Sequence, residues 1–283
     1  MLFGQNDGGE EDVKLGFLGG GNMAAALMGG LLQKGFRGED IVVVELDPGR
    51  RAWLTANFPV QVLEHDGPLV ETADVLILAV KPQQLRAALA TLPTPYPGQL
   101  MLSIAAGVRA GDISRWLSGH TAVVRAMPNT PALVSAGITG LYALPGVSPA
   151  QREQAARVME AVGRVVWVED EALIDAITAV SGSGPAYVFY FIEALEEAAM
   201  QLNLPPQDAR LLALHTFLGA SLLAVKDKAS ASELRERVTS KGGTTERGIQ
   251  VLDERQVKLA LTEAVRAAAQ RSRELGELLG RDV

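Results

Sequence analysis

From Val13 to about Val168, short β-branched runs alternate with stretches of helical spacing. The runs predict strands at Val13–Leu18, Ile41–Val44, Val75–Val80, Leu100–Ile104, Ala122–Arg125, Ile138–Ala143 and Val165–Val168. Helical periodicity marks Met23–Gln33, Gln83–Leu92 and Pro149–Val162 between them. Strands that are apolar at nearly every position need cover on both faces. Strand–helix alternation of this kind predicts an α/β fold with a parallel, doubly wound sheet.

After Glu169 the β-rich runs stop, and Ala, Leu and Glu dominate at helical spacing over Tyr187–Asn203, Pro205–Lys226 and Asp253–Leu279. Pro205 and Pro206 mark the end of one helix and the start of the next. The expected organisation is a sheet domain over residues 13–168 and an all-helical domain over 169–283. Residues 1–12, short, polar and acidic, read as a disordered tail. The late helices are rich in large apolar residues, among them Phe189, Ile192, Leu195, Phe217, Leu222, Leu223 and Val225. Two readings stand side by side: an ordinary core within the domain, or a homodimer whose helices interleave.

Composition narrows the chemistry. Among 283 residues, 48% are hydrophobic and 21% charged, as in globular proteins. The chain has no cysteine, which removes disulfides, thiolate metal sites and cysteine nucleophiles. Its 3 histidines, His65, His120 and His215, are scattered, so no metal site is expected. A net charge of −7 argues against nucleic acid as a partner. The N-terminus lacks the cationic start and apolar run of a signal peptide. No apolar run is read as reaching the roughly 20 residues of a membrane span. No membrane partner and a cytoplasmic location are therefore expected.

One motif carries specific chemistry. Gly19-x-Gly21-x-x-Ala24 follows an apolar strand and opens a helix, which is the context of the dinucleotide fingerprint. Gly19 permits the tight turn, Gly21 lets the backbone approach a pyrophosphate, and Ala24 allows close helix–strand packing. The amides of Asn22 and Met23 then open the helix toward phosphate. Glu45 ends the second strand close to the roughly 20-residue offset of a ribose-binding acid. An acid there favours NADH, whereas Arg50 and Arg51 are able to pair with the 2′-phosphate of NADPH. Both cofactors stay open at this point. The expected fold becomes an N-terminal Rossmann-type sheet followed by a helical C-terminal domain.

Five further segments accumulate with the fingerprint: Ala79-Val80-Lys81-Pro82-Gln83, Ser103-Ile104-Ala105-Ala106-Gly107-Val108, Arg125-Ala126-Met127-Pro128-Asn129-Thr130-Pro131-Ala132, Val180-Ser181-Gly182-Ser183-Gly184-Pro185-Ala186-Tyr187 and Val238-Thr239-Ser240-Lys241-Gly242-Gly243-Thr244-Thr245. Together they resemble the pyrroline-5-carboxylate reductases, over essentially the whole chain after the tail. The family often has proline where this chain has Lys241, so the loop here lacks that preset φ.

The resemblance implies hydride transfer from NADPH or NADH to Δ1-pyrroline-5-carboxylate, giving proline. It implies that Ala79, Val80, Lys81, Pro82, Ala105, Ala106 and Gly107 line the cofactor, with Asn129 in a rigid wall beside the nicotinamide. It also implies a helical dimerisation domain, hence a homodimer or a multimer of dimers. Ser240, Gly242, Gly243, Thr244 and Thr245 would bind the substrate, their amides turned toward its carboxylate. A plain Gly-Gly turn with Thr244 as N-cap is the alternative for that segment. Thr245 matches the threonine whose hydroxyl meets the ring nitrogen, which makes it the expected catalytic residue. Ser181 and Ser183 stand between helix packing and a place near the substrate.

Two rivals remain. A β-hydroxyacid dehydrogenase would need a lysine acid/base on the central helix, where Tyr187–Met200 offers only Glu193, Glu196 and Glu197. A regulatory dinucleotide-binding protein without chemistry would be free to lose the Ser240–Thr245 loop, which is intact.

Overall fold

A computed structural model describes residues 13–65 and 72–281; the expected tail at 1–12 lies outside the described residues. One compact unit takes in the chain up to Gly182 together with the stretch from Ala269 onward, and a second spans Ser183–Ala268. The texture of the sequence had suggested a division at 168/169. Contacts divide it later, because residues 173–182 pack onto the sheet: a Cβ at Gly140 would lie 2.5 Å from the Ile177 side chain.

The first unit is built on eight strands: β1 (Leu15–Leu18), β2 (Ile41–Val44), β3 (Gln61–Leu63), β4 (Val75–Leu78), β5 (Leu100–Ser103), β6 (Val123–Met127), β7 (Gly137–Ala143) and β8 (Gly163–Trp167). They stand in the order β3-β2-β1-β4-β5-β6-β7-β8. β1, β2, β4 and β5 alternate between two cores, as the two-residue period of a strand requires. Leu15, Phe17, Ile41, Val43, Val75, Ile77, Leu100 and Leu102 enter one core. Leu18, Val44, Leu76, Leu78 and Met101 enter the other. The first core is closed by helices α1 (Asn22–Gln33), α2 (Pro48–Asn57) and α5 (Pro149–Glu160), through residues such as Leu27, Leu54 and Met159. The second is closed by α3 (Pro82–Thr91) and α4 (Ala110–Trp116), through Leu85, Leu89 and Ile113. Each such side chain taken out of water contributes roughly 1.5–3 kcal/mol. Two-sided burial is what the continuous apolar runs foretold.

Two features of the sheet depart from expectation. β6 and β7 are antiparallel, because the chain between Met127 and Gly137 is too short for the crossover a parallel pair needs. β8 then returns parallel to β7 after α5. β3 went unseen as a strand: it has three residues at the sheet edge and none is fully buried.

After α6 (Leu173–Ile177) a π-helical turn covers Thr178–Gly182. The second unit is helical, as expected: α7 (Gly184–Gln201), α8 (Pro206–Lys226), α9 (Ala231–Arg237), α10 (Thr244–Glu254) and the first part of α11 (Val257–Leu279). The helix expected from Asp253 is in fact two, broken where Gln256 adopts a left-handed φ of 54°. α7 and α8 pack on each other, yet α8 buries only Ala209 and Ala213, both small. Phe189, Tyr190, Leu211, Leu218, Leu222 and Leu223 are at least half exposed. Pro206–Lys226 is also long and apolar enough, by length and composition alone, to cross a membrane, with a mean hydropathy of 1.3. That corrects the expectation that no segment reaches this length; Asp208, Arg210 and His215 interrupt the apolar character, so reading the run by eye underrated it.

The end of α11 returns to the sheet unit. The Ser272 hydroxyl donates to Asp175 Oδ1 at 2.6 Å, with both residues buried, and Arg115 donates to the Gly280 carbonyl. Ser272→Ala leaves a buried carboxylate oxygen without this donor. The expected loss is about 1–3 kcal/mol, read as a lower urea midpoint at fixed protein concentration. An unchanged midpoint would show that the bond does not hold the last helix.

Candidate active site

The strand order reverses between β1 and β4, and ligands of open α/β sheets bind beyond the strand ends at such a reversal. A cavity of about 940 Å³ opens there. Its floor comes from the ends of β1 (Leu18, Gly19), β2 (Val44, Glu45) and β4 (Ala79, Val80, Lys81), with Ile104, Ala105 and Ala106 after β5. Gly21, Asn22 and Met23 at the start of α1, and Pro82 at the start of α3, complete the expected members.

The residues fit a dinucleotide. Gly19 has φ +102°, and a Cβ there would lie 2.9 Å from the Ala79 carbonyl carbon. Both facts require glycine. A Cβ at Gly21 would meet nothing within 4 Å, so this backbone borders open cavity. Gly21 is the N-cap of α1 and no side chain caps the helix, which leaves its first amides for an anion. Ala24 is buried against the sheet, as close helix–strand packing demands.

Charge along the β2 side of the cavity is set by the residues that follow that strand. Glu45 Oε2 accepts from the Gly20 amide and Oε1 from the Asp47 amide, each at 2.9 Å. Asp47 in turn caps α2 by accepting from the Arg50 amide. Arg50 Nε donates to the Gly20 carbonyl, and its guanidinium lies 4.2 Å from the Trp53 ring centre. Arg51 donates to the carbonyls of Glu45 and Leu46 and pairs with Glu64 at 3.2 Å.

Two expected members stand elsewhere. Asn129 does not line the cavity: its amide donates to the Ser181 carbonyl and accepts from the Ile138 amide, locking the end of β6 to β7 and the π turn. Gly107 is likewise absent from the lining; its φ of +79° turns the chain toward Leu275 and Leu279 of α11. The Ser181 hydroxyl is taken up by the Ile177 carbonyl. Conversely, the cavity recruits Leu46, Asp47, Glu64 and His65, and Gln84, Ala87, Ala88 and Thr91 of α3, none expected. Those four α3 positions share one helical face, a stripe at i, i+3, i+4, i+7 that the sequence displays.

In the helical unit, Ser240–Thr245 forms a turn leading into α10. Gly242 has φ +73°, and the Gly243 amide donates back to the Ser240 carbonyl at 3.0 Å. Gly243, not Thr244, is the N-cap, and no side chain caps it. Thr244 therefore belongs to the first turn of α10 because the extended backbone at Gly243 already supplies the entry. The Gly242 amide donates to Glu246 Oε2 at 2.7 Å. Sequence reasoning missed Glu246, although an acid at the third helical position is a known capping signal. The loop thus already holds a carboxylate, its own.

The family model for pyrroline-5-carboxylate reductase dimerisation matches residues 171–275, and that for coenzyme F420-dependent NADP oxidoreductase matches 14–107. A pyrroline-5-carboxylate reductase of Pseudomonas aeruginosa is 44% identical over 268 residues, covering 94% of this chain and 98% of the relative. The structure of a pyrroline-5-carboxylate reductase from Coxiella burnetii superposes with TM-score 0.87 at 39% identity, covering 94% of this chain and 99% of that one. That of Plasmodium falciparum pyrroline carboxylate reductase, with NADP bound, gives 0.84 at 27% identity, covering 95% and 100%. With likeness of this extent spanning both units, the chain belongs to the pyrroline-5-carboxylate reductase family.

Proposed function

We propose that this chain reduces Δ1-pyrroline-5-carboxylate to proline, the last step of proline biosynthesis, with NADPH or NADH as the reductant. The observation that carries the reading is an open, glycine-lined dinucleotide crevice in a chain of this family that also keeps the Ser240–Thr245 turn intact. When bound, the reduced nicotinamide supplies the hydride for the C=N carbon.

The chain's own residues do the rest. The α1 amides and Gly21 hold the pyrophosphate; Ala79–Pro82, Ala105 and Ala106 offer a narrow wall that positions the ring. The amides at the start of α10 receive the substrate carboxylate, where the helix dipole favours negative charge. The Thr245 hydroxyl holds and orients the ring nitrogen; the protonated imine already carries its N–H, so hydride addition alone completes the amine. A protonated imine is already a strong electrophile, so most of the acceleration is positional. No histidine is needed.

The exposed apolar side chains of α7 and α8 support self-association as a homodimer, with dimers able to assemble further. A cytoplasmic location suits an enzyme that draws on reduced nicotinamide.

Loss of reduced-nicotinamide absorbance that depends on added imine tests the activity, and oxidation equal without imine would overturn it. Thr245→Ala should lower turnover at least tenfold with nucleotide affinity nearly unchanged. Turnover within about twofold, roughly 0.4 kcal/mol of barrier, would remove Thr245 from the chemistry. Gly21→Ala places a methyl in open cavity at an ordinary φ of −63°. Stability should stay within about 0.5 kcal/mol while dinucleotide affinity falls at least tenfold by calorimetry. Undiminished affinity would place the pyrophosphate elsewhere.

A further inference from the structure

We infer that Glu45 makes this enzyme select NADH over NADPH. The inference rests on the cofactor reading above and adds to it which of the two dinucleotides the crevice accepts.

The residues at the end of β2 point one way. Glu45 lines the cavity beside Gly19 and Gly21, at the place where an acid meets the adenosine ribose in folds of this kind. Its carboxylate is fixed by the amides of Gly20 and Asp47. Each oxygen retains a lone pair beyond those bonds, and a ribose 2′-hydroxyl can donate to it. A 2′-phosphate has no proton to spare near neutral pH and would face a fixed like charge instead. Asp47 lines the same cavity and adds to the repulsion.

The two arginines that would reverse this preference are committed elsewhere. The Arg51 guanidinium forks onto two carbonyls and the Glu64 carboxylate. Arg50 is bonded to the Gly20 carbonyl and stacked on Trp53. Its Nη2 is buried. Neither arginine lines the cavity. Among the described residues, the basic side chains that do are Lys81 and His65. Lys81 follows β4, on the far side of β1 from β2. His65 adjoins Glu64 just after β3.

The test is calorimetric titration of the full-length enzyme at pH 8 with NADH and with NADPH, for wild type, Glu45→Gln and Arg50→Ala. Wild type should bind NADH at least tenfold more tightly. Glu45→Gln keeps an oxygen for the Gly20 amide but loses the charge, so it should shrink that ratio at least fivefold, mainly by tightening NADPH. Competition by 5′-ADP against 2′,5′-ADP on wild type reads the same preference without any variant, and 5′-ADP should win. Equal or tighter NADPH binding, a ratio unchanged in Glu45→Gln, or NADPH affinity lost specifically in Arg50→Ala would each overturn the inference while leaving the reductase reading intact. Absence of binding by either dinucleotide would overturn both together.

Discussion

Burial on both faces is the constraint from which this architecture follows. Phe17 and Leu18 are neighbours in β1, yet they enter different cores, so the strand is stable only with helices above and below. α1, α2 and α5 must lie on one face and α3 and α4 on the other. The chain meets that demand by winding outward in both directions from β1 and β4. Adjacent strand ends at that point send their connections to opposite faces, and a crevice is left between them. The site is thus a by-product of how the sheet is covered.

What opens the crevice to a dinucleotide is backbone, more than side chains. Gly19 allows the turn to pass within contact of Ala79, and Gly21 leaves its own surface open to the cavity. The acids and arginines around β2 are arranged by the same backbone: Glu45 is held by two amides, while Arg50 and Arg51 are drawn onto carbonyls of the very turn they border. The helical unit works by a similar economy. At Gly242 and Gly243 a left-handed residue followed by an extended one starts α10 without a side-chain cap, and the Gly242 amide donates to Glu246.

The helices α7 and α8 obey a different balance. They are apolar on more faces than one chain covers, with Phe189, Leu218 and Leu223 left in the open. The match of residues 171–275 to a dimerisation family gives that surface its reason. It also explains why Pro206–Lys226 is long and apolar enough to cross a membrane: a helix that buries its sides in protein and one that buries them in lipid have similar composition.

The residues alone determined the sheet's core strands, the glycine turn and the all-helical second half, because period, propensity and φ preferences act over a few neighbours. They also singled out Glu45, whereas the Ser240–Thr245 turn stood out only through the family resemblance. Tertiary structure decided what depends on partners distant in the chain. A three-residue edge strand at Gln61–Leu63 exists because β2 offers a ladder, and the reversal of β7 follows from a short connection. Asn129 and Gly107 bear motif-like surroundings, but the contacts they make, with Ser181 and α11, lie far along the chain, and neither lines the cavity. The fate of Arg50 and Arg51 was undecided for the same reason: a guanidinium's effect depends on which oxygens reach it, and folding brought carbonyls and Glu64 to them before any ligand.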